Sequence, residues 1–209
     1  MSLADSRPRP DAPARGRPRS EAVERAILEG VMKLLEEGVP LAELSIERVA
    51  RTAGVGKATI YRRWSGKEEL FVDVMRAAEP PDPELPGTSM RDDLVVLLES
   101  LRRRGLVSRS SAILHNAHAQ MKSSPKIWAA YHTCVITPRR NQGLEVLRRG
   151  QLNGELREDV DLELANDMIV GPMLVRSVLR PDADLPEGLS EEIVDTVLAG
   201  LRPVSSPGT

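Results

Sequence analysis

The chain has 209 residues, 41% of them hydrophobic, with one cysteine and a formal net charge of -2. That supports one large core or two small ones and excludes an intrachain disulfide, because Cys134 has no second cysteine to pair with. No apolar run approaches the ~20 residues of a membrane span, and MSLADSRPRPDAPARGRPRS lacks the apolar centre of a signal peptide, so a reducing, cytoplasmic setting fits best.

Residues 1–19 are rich in Arg, Pro, Ala and Asp without periodicity, and read as a mobile basic arm. Ser20 is placed to cap a helix reaching about Glu37, with Val23, Ile27, Val31, Leu34 and Leu35 as its apolar stripe. Gly38 and Pro40 stop it. Ser45 caps a second, short helix with Ile46, Val49 and Ala50 inward, and AGVG breaks it. A third helix follows from about Gly56 to Trp64. Ser65 and Glu68 fit a capping box for a fourth, which carries Leu70, Phe71, Val74 and Met75. EPPDPELPGTS cannot be helical through its prolines and is the expected junction between a front domain, 20–78, and a rear domain, 79–202.

In the rear part, Ser89 and Asp92 open a helix carrying Leu94, Val95, Leu97, Leu98 and Leu101. A further helix spans about Arg109 to Lys122. Ser124-Pro125 starts the next, which reaches about Gly150 with a kink expected at Pro138. Asp161 opens a helix toward Arg180 that contains Gly171-Pro172, a pair local rules disfavour. Ser190 caps the last helix, with Ile193, Val194, Val197, Leu198 and Leu201 on one face, and 203–209 reads as a disordered tail. The fold class is all-α, about nine helices, with no strand pattern and no internal repeat.

Charge is unevenly spread. From Arg48 to Lys67 there are six basic residues and no acidic one, whereas from Ala77 onward 15 basic residues face 19 acidic ones. A polyanion partner for the front alone is the implication. The second and third helices with their Gly-containing turn form a helix-turn-helix. At helical spacing Ile60 and Trp64 face inward, leaving Lys57, Ala58, Thr59, Tyr61 and Arg62 outward. A recognition helix presents its N-terminal residues to base edges: Lys57 can donate to guanine, and Ala58 and Thr59 can touch a thymine methyl. Tyr61, Arg63, Lys67 and Thr52 fit phosphate contacts, which set register and affinity. Arg15, Arg17 and Arg19 of the arm could enter an adjacent minor groove.

On these residues the chain resembles the TetR family of transcriptional regulators. The resemblance runs from about Arg17 to Met75 and rests on SIERVARTAGVGKATIYRRWSGKEEL, with Phe71 after the Lys-Glu-Glu. GQLNGELREDVDLELANDMIVGPMLVRSVL is similar to the turn and dimerisation helix of many members, which often carry Gly-Pro at this place. The resemblance implies a homodimer pairing through about 161–180 and 189–201, a ligand cavity in the rear domain, and repression of a palindromic operator relieved by a small-molecule effector. No catalytic residue and no cofactor is expected.

For that ligand pocket the sequence offers His115, His118, Met121, Trp128, Tyr131, Met168 and Met173. Met is adaptable and suits apolar ligands, although at helical spacing it is more often ordinary core. His115 and His118 share a helix face and are the only metal-like pair. Two ligands are too few, so no metal site is expected. The competing readings are a helical-bundle enzyme or metal-binding protein using that pair, and an architectural protein binding any duplex.

Overall fold

The computed structural model describes residues 17–180 and 182–202, with side chains from Ser20 onward except that of Ala112. Every regular element among them is helical: α1 (Arg17–Glu36), α2 (Ile46–Ala53), α3 (Lys57–Tyr61), α4 (Lys67–Ala78), α5 (Met90–Ser110), α6 (Ala112–Ser123), α7 (Pro125–Tyr131), α8 (Thr137–Leu152), α9 (Leu162–Leu174) and α10 (Leu189–Leu201). The all-α expectation holds. A π-helical turn, His132–Ile136, joins α7 to α8, so the rod expected over 125–150 is helical throughout and the count of nine rods stands. The irregularity falls on the turn before Pro138 instead of at it, because proline lacks the N–H that an α-helical ladder needs there. A second π turn, Val175–Leu179, extends α9, and Pro172 sits inside that helix.

Local caps follow the sequence at several ends. Ser45 accepts from the Arg48 N–H, Ser89 from the Asp92 N–H, and Asp161 from the Glu163 and Leu164 N–H groups. Gly54 ends α2 at φ 68°, a left-handed conformation that glycine adopts without a Cβ penalty. Four expectations need correction. The first helix begins at Arg17, so Ser20 lies within it and is not its cap. At α4 it is Glu69, not Glu68, whose carboxylate receives the Ser65 N–H (2.7 Å) and hydroxyl (2.8 Å). α5 runs unbroken to Ser110, and Ser111 opens α6. The last helix is entered through Gly188, and the buried Ser190 hydroxyl bonds Glu99 of α5 at 3.1 Å.

Two hydrophobic cores result, and they do not divide at the proline-rich linker. The first gathers Ile27, Val31 and Leu34 of α1 with Val49, Ile60, Trp64, Phe71 and Met75, and it continues into Leu114, Met121, Ile127 and Tyr131 of α6 and α7. The Leu41 N–H bonds the Gln120 side chain at 2.8 Å across the same seam. The second core is a four-helix layer of α5, α8, α9 and α10, built on Leu94, Leu98, Leu147, Ile169, Met173, Val194 and Leu198. Glycines let its helices meet closely: a Cβ on Gly150 would collide with the Met90 sulfur, and one on Gly143 with the Asn166 side chain.

The apolar face of α10 is consumed inside the chain. Ile193, Val194 and Leu198 are buried in the second core. Exposed apolar surface gathers instead on α9 and its π turn, at Leu164, Met168, Leu174, Val175, Val178 and Leu179, the last 72% exposed.

Candidate nucleic-acid interface

The sequence dictates a short α3 with two unlike faces. Ile60 and Trp64, four residues apart, are fully or almost fully buried. Their neighbours Lys57, Ala58, Tyr61 and Arg62 are exposed, Tyr61 by 55%. An exposed tyrosine beside cations gains nothing from the core and is free for an external contact.

Four side chains set the pose of this helix. The Trp64 indole N–H donates to Asp73 of α4 at 2.8 Å. Ser65 is held by Glu69, one turn into the same helix. Arg63 donates to the Thr59 carbonyl (3.3 Å) and to the Ser20 carbonyl and hydroxyl of α1 (3.2 and 2.9 Å). Arg62 donates to the Thr59 hydroxyl at 3.2 Å. Arg63 is therefore a brace between α1 and α3 as well as a candidate phosphate ligand.

The acid-free window has an acidic neighbour across the turn. Lys57 Nζ lies 3.0 Å from Glu47 at the start of α2. Lys57's bond to Glu47 pushes its pKa up, and the same bond holds the Glu47 carboxyl below its usual range. Both groups are exposed. Thr52 is half-buried, with its hydroxyl donating to the Arg48 carbonyl one turn back. Lys67 is half-buried at the start of α4. Arg17 opens α1 rather than belonging to an extended arm, and Arg15 lies outside the described residues.

The seven residues expected to line a ligand pocket do not converge. His118, Met121, Trp128 and Tyr131 lie in or against the first core, whereas Met173 is buried in the second. His115 is exposed, and so is Met168, on the outer face of α9. The pair His115 and His118 does not act as one: the His118 Nδ1–H donates to the Leu114 carbonyl at 2.8 Å, as a helical side chain does. Among the described residues no three His, Cys, Asp or Glu side chains gather as a metal site. An open groove between α1 and α4, lined by Leu28, Met32, Val74, Ala77 and Ala78, involves none of the seven.

A charged cluster at the end of α4 went unread in the sequence. Glu79, its C-cap residue, has a side chain only 6% exposed and meets Arg139 of α8 (3.0 Å), Arg104 of α5 (3.5 Å), His118 of α6 (3.6 Å) and the Tyr131 hydroxyl of α7 (3.4 Å). Burial pushes the Glu79 carboxyl up, but the His118 hydrogen bond and the Arg139 charge outweigh it and leave it below the usual range. Burial and the Glu79 charge push the Tyr131 hydroxyl up to about 12. One signal was present: Arg102-Arg103-Arg104 inside a helix spreads three cations over some 200°, so not all can face water. Arg102 and Arg104 are buried and Arg103 is exposed.

α4 thus joins two places. Its first turns hold α3 through Asp73 and Glu69, and its C-cap, Glu79, is locked into four helices of the rear part. No described helix is long and apolar enough to cross a membrane.

Comparison with known proteins agrees with this geometry. The pattern of bacterial regulatory proteins of the tetR family matches residues 27–74, and that of the tetracyclin repressor-like C-terminal domain matches residues 86–197. The HTH-type transcriptional regulator YdeS of Bacillus subtilis is 30% identical over 193 residues, covering 92% of this chain and 96% of that protein. The DNA-binding transcriptional repressor TetR of Mycobacteroides abscessus is 27% identical, covering 88% and 94%. Among solved structures, the TetR family transcription regulator SCO0332 superimposes with a TM-score of 0.58 at 25% identity, covering 87% of this chain and 99% of that one. With its helix-turn-helix, its all-helical rear and both halves of the family pattern in order, the chain belongs to the TetR family of DNA-binding transcriptional regulators.

Proposed function

We propose that the protein is a cytoplasmic, homodimeric repressor that grips a palindromic operator through paired α3 helices and leaves it when a small-molecule effector binds behind α4. The observation that carries the DNA-reading part is the division of α3: Ile60 and Trp64 anchor it, and Lys57, Ala58, Tyr61 and Arg62 stand exposed at its tip. In this reading Lys57, Ala58 and Thr59 meet base edges, while Tyr61, Arg62, Arg63, Lys67 and Thr52 meet phosphate. Arg15, with Arg17 at the start of α1, adds minor-groove contacts in this reading. Residues 20–78 form the DNA-binding unit and 79–202 the effector and dimerisation unit.

One α3 reads few base pairs, so two copies about one DNA turn apart, ~34 Å, are needed for a specific site. The exposed strip Leu164, Met168, Val175 and Leu179 supports pairing, because it repeats at helical spacing and stays uncovered in the single chain. The M. abscessus relative is named a repressor, which supports that sign of regulation.

The test is fluorescence anisotropy on duplexes tiled across the DNA flanking the protein's own gene, with competitor DNA and at two salt concentrations. The expected result is tight, competitor-resistant binding to one palindrome, lost in Thr59→Ala, Tyr61→Ala. Weak binding to every duplex with a steep salt dependence would point to an architectural protein instead.

A further inference from the structure

Two carboxylates share the two arginines at the end of α4, and they are held very differently. Glu79, whose side chain is 6% exposed, sits at the end of a helix and is also bonded by Tyr131 and approached by His118. Asp82 lies three residues on, in the proline-rich segment, and its side chain is 48% exposed. Residues 80–86 belong to no helix. Among the described residues the Asp82 side chain is held by the two arginines: one oxygen, Oδ1, receives Arg104 Nη2 at 2.5 Å and Arg139 Nε at 2.9 Å.

The arginines themselves are fixed. Arg104 is 9% exposed and comes from the middle of α5, whereas Arg139 comes from the first turn of α8. Arg104 Nε is buried and faces Glu79 Oε2 at 3.5 Å, beyond hydrogen-bond contact. Its guanidinium is disfavoured first by burial and then by the adjacent Arg139 charge. Two guanidinium groups converging on one oxygen of a half-exposed loop carboxylate form the arrangement that binds a carboxylate or phosphate. Next to Glu79, the Tyr131 ring stacks on Trp128 at 6.3 Å, at the margin of the first core.

We propose that Arg104 and Arg139 form an oxyanion site for the effector, and that Asp82 fills it as a built-in competitor when no effector is bound. The effector role rests on the function proposed above; the anion site itself does not. A ligand bearing a carboxylate or phosphate displaces Asp82. The linker then loses its hold next to Glu79, at the end of the helix that fixes α3 through Trp64 and Asp73. Ligand and operator binding become coupled because only the effector-free form keeps Asp82 in place.

The full-length protein would be titrated with benzoate, inorganic phosphate and the uncharged benzamide at constant ionic strength, by calorimetry and thermal unfolding. Asp82→Asn removes the competitor, so benzoate is expected to bind it about tenfold more tightly than wild type and to raise its melting temperature, while benzamide does neither. Adding Arg139→Gln to Asp82→Asn is expected to abolish the response. Phosphate binding better than benzoate would assign the site to a phosphate-bearing effector, and the reverse to a carboxylate. Asp82→Ser provides a second variant should the asparagine fold poorly, with a cooperative melt as the control. Equal responses to benzoate and benzamide, or a benzoate response that survives Arg139→Gln, would overturn the site. Benzoate binding that leaves wild-type operator affinity unchanged would overturn its effector role. Failure of wild type to bind any operator is a separate outcome that strikes the DNA-reading proposal and leaves the benzoate titration readable.

Discussion

Arg63 Nη2 donates to both the hydroxyl and the carbonyl of Ser20, bridging 43 residues of sequence between the tip of the helix-turn-helix and the first turn of α1. This brace fixes the angle at which α3 leaves the domain. Arg63→Ala is expected to weaken operator binding about tenfold while changing stability by less than about 1 kcal/mol, since the bonds are solvent-exposed. Ser20→Ala keeps the carbonyl acceptor and should cost only about twofold. Anisotropy titrations beside thermal melts separate the two effects. A loss in Arg63→Ala confined to stability would contradict the brace.

Lys57 and its partner Glu47 should respond in opposite ways. In the proposed reading Lys57→Ala loses a base contact and is expected to weaken operator binding about tenfold or more. Glu47→Gln releases Lys57 and removes a negative charge from the DNA-facing surface. It should raise binding to random duplex several-fold and steepen the salt dependence by about one counterion. The readout is the slope of affinity against salt on operator and random DNA. Equal slopes in wild type and Glu47→Gln would show that Glu47 does not touch the electrostatics of binding.

Much of the helix-turn-helix could be read locally. The Ser45 cap, the left-handed Gly54 and the Ile60–Trp64 spacing act within a few residues of themselves, and each stands where the sequence put it. The failures involve choices that distant partners decide. Glu68 and Glu69 are equally able to reach Ser65 until Gly66, rather than Ser65, becomes the cap residue of α4. Ser190 looks like a cap, yet Glu99, 91 residues away, takes its hydroxyl. Met121 and Met173 resemble each other as pocket candidates and lie in different cores. The charged cluster depends on five helices meeting, which no local pattern encodes.

Glu79 gives the protein an acid-sensitive joint. Its folded pKa lies below the ordinary value, so protonation favours the unfolded chain. The stabilisation is complete at neutral pH, begins to drain as pH falls past about 4.3, and is gone below the folded value. Glu79→Gln leaves Arg104 and Arg139 short of a buried counter-charge and should cost about 3 kcal/mol at pH 7. The gap between the melting temperatures of wild type and variant should narrow as pH falls toward 3. Parallel curves from pH 7 to 3 would remove Glu79 from the list of acid-labile groups.

The strip on α9 predicts its own variants. Met168→Glu with Leu179→Glu places charges at 44% and 72% exposed positions that the single chain leaves uncovered. The folded monomer should keep its melting behaviour at low concentration, sediment as one chain, and lose operator affinity at least about a hundredfold, since two linked sites bind far more tightly than one. A variant that still sediments as a dimer would move the interface elsewhere on the surface.

The continuation of the first core into α6 and α7 limits how this regulator can be re-engineered. Val74 and Met75 of α4 share that core with Met121, Ile127 and Tyr131. A fragment ending at Ala78 would bare this seam and tend to clump. A hybrid that grafts these four front helices onto another sensor inherits the same difficulty unless it also carries the matching surfaces of α6 and α7. The portable unit is set by the shared core and is discontinuous in sequence: the front helices together with α6 and α7, with only the end of the intervening α5, at Val107, touching it.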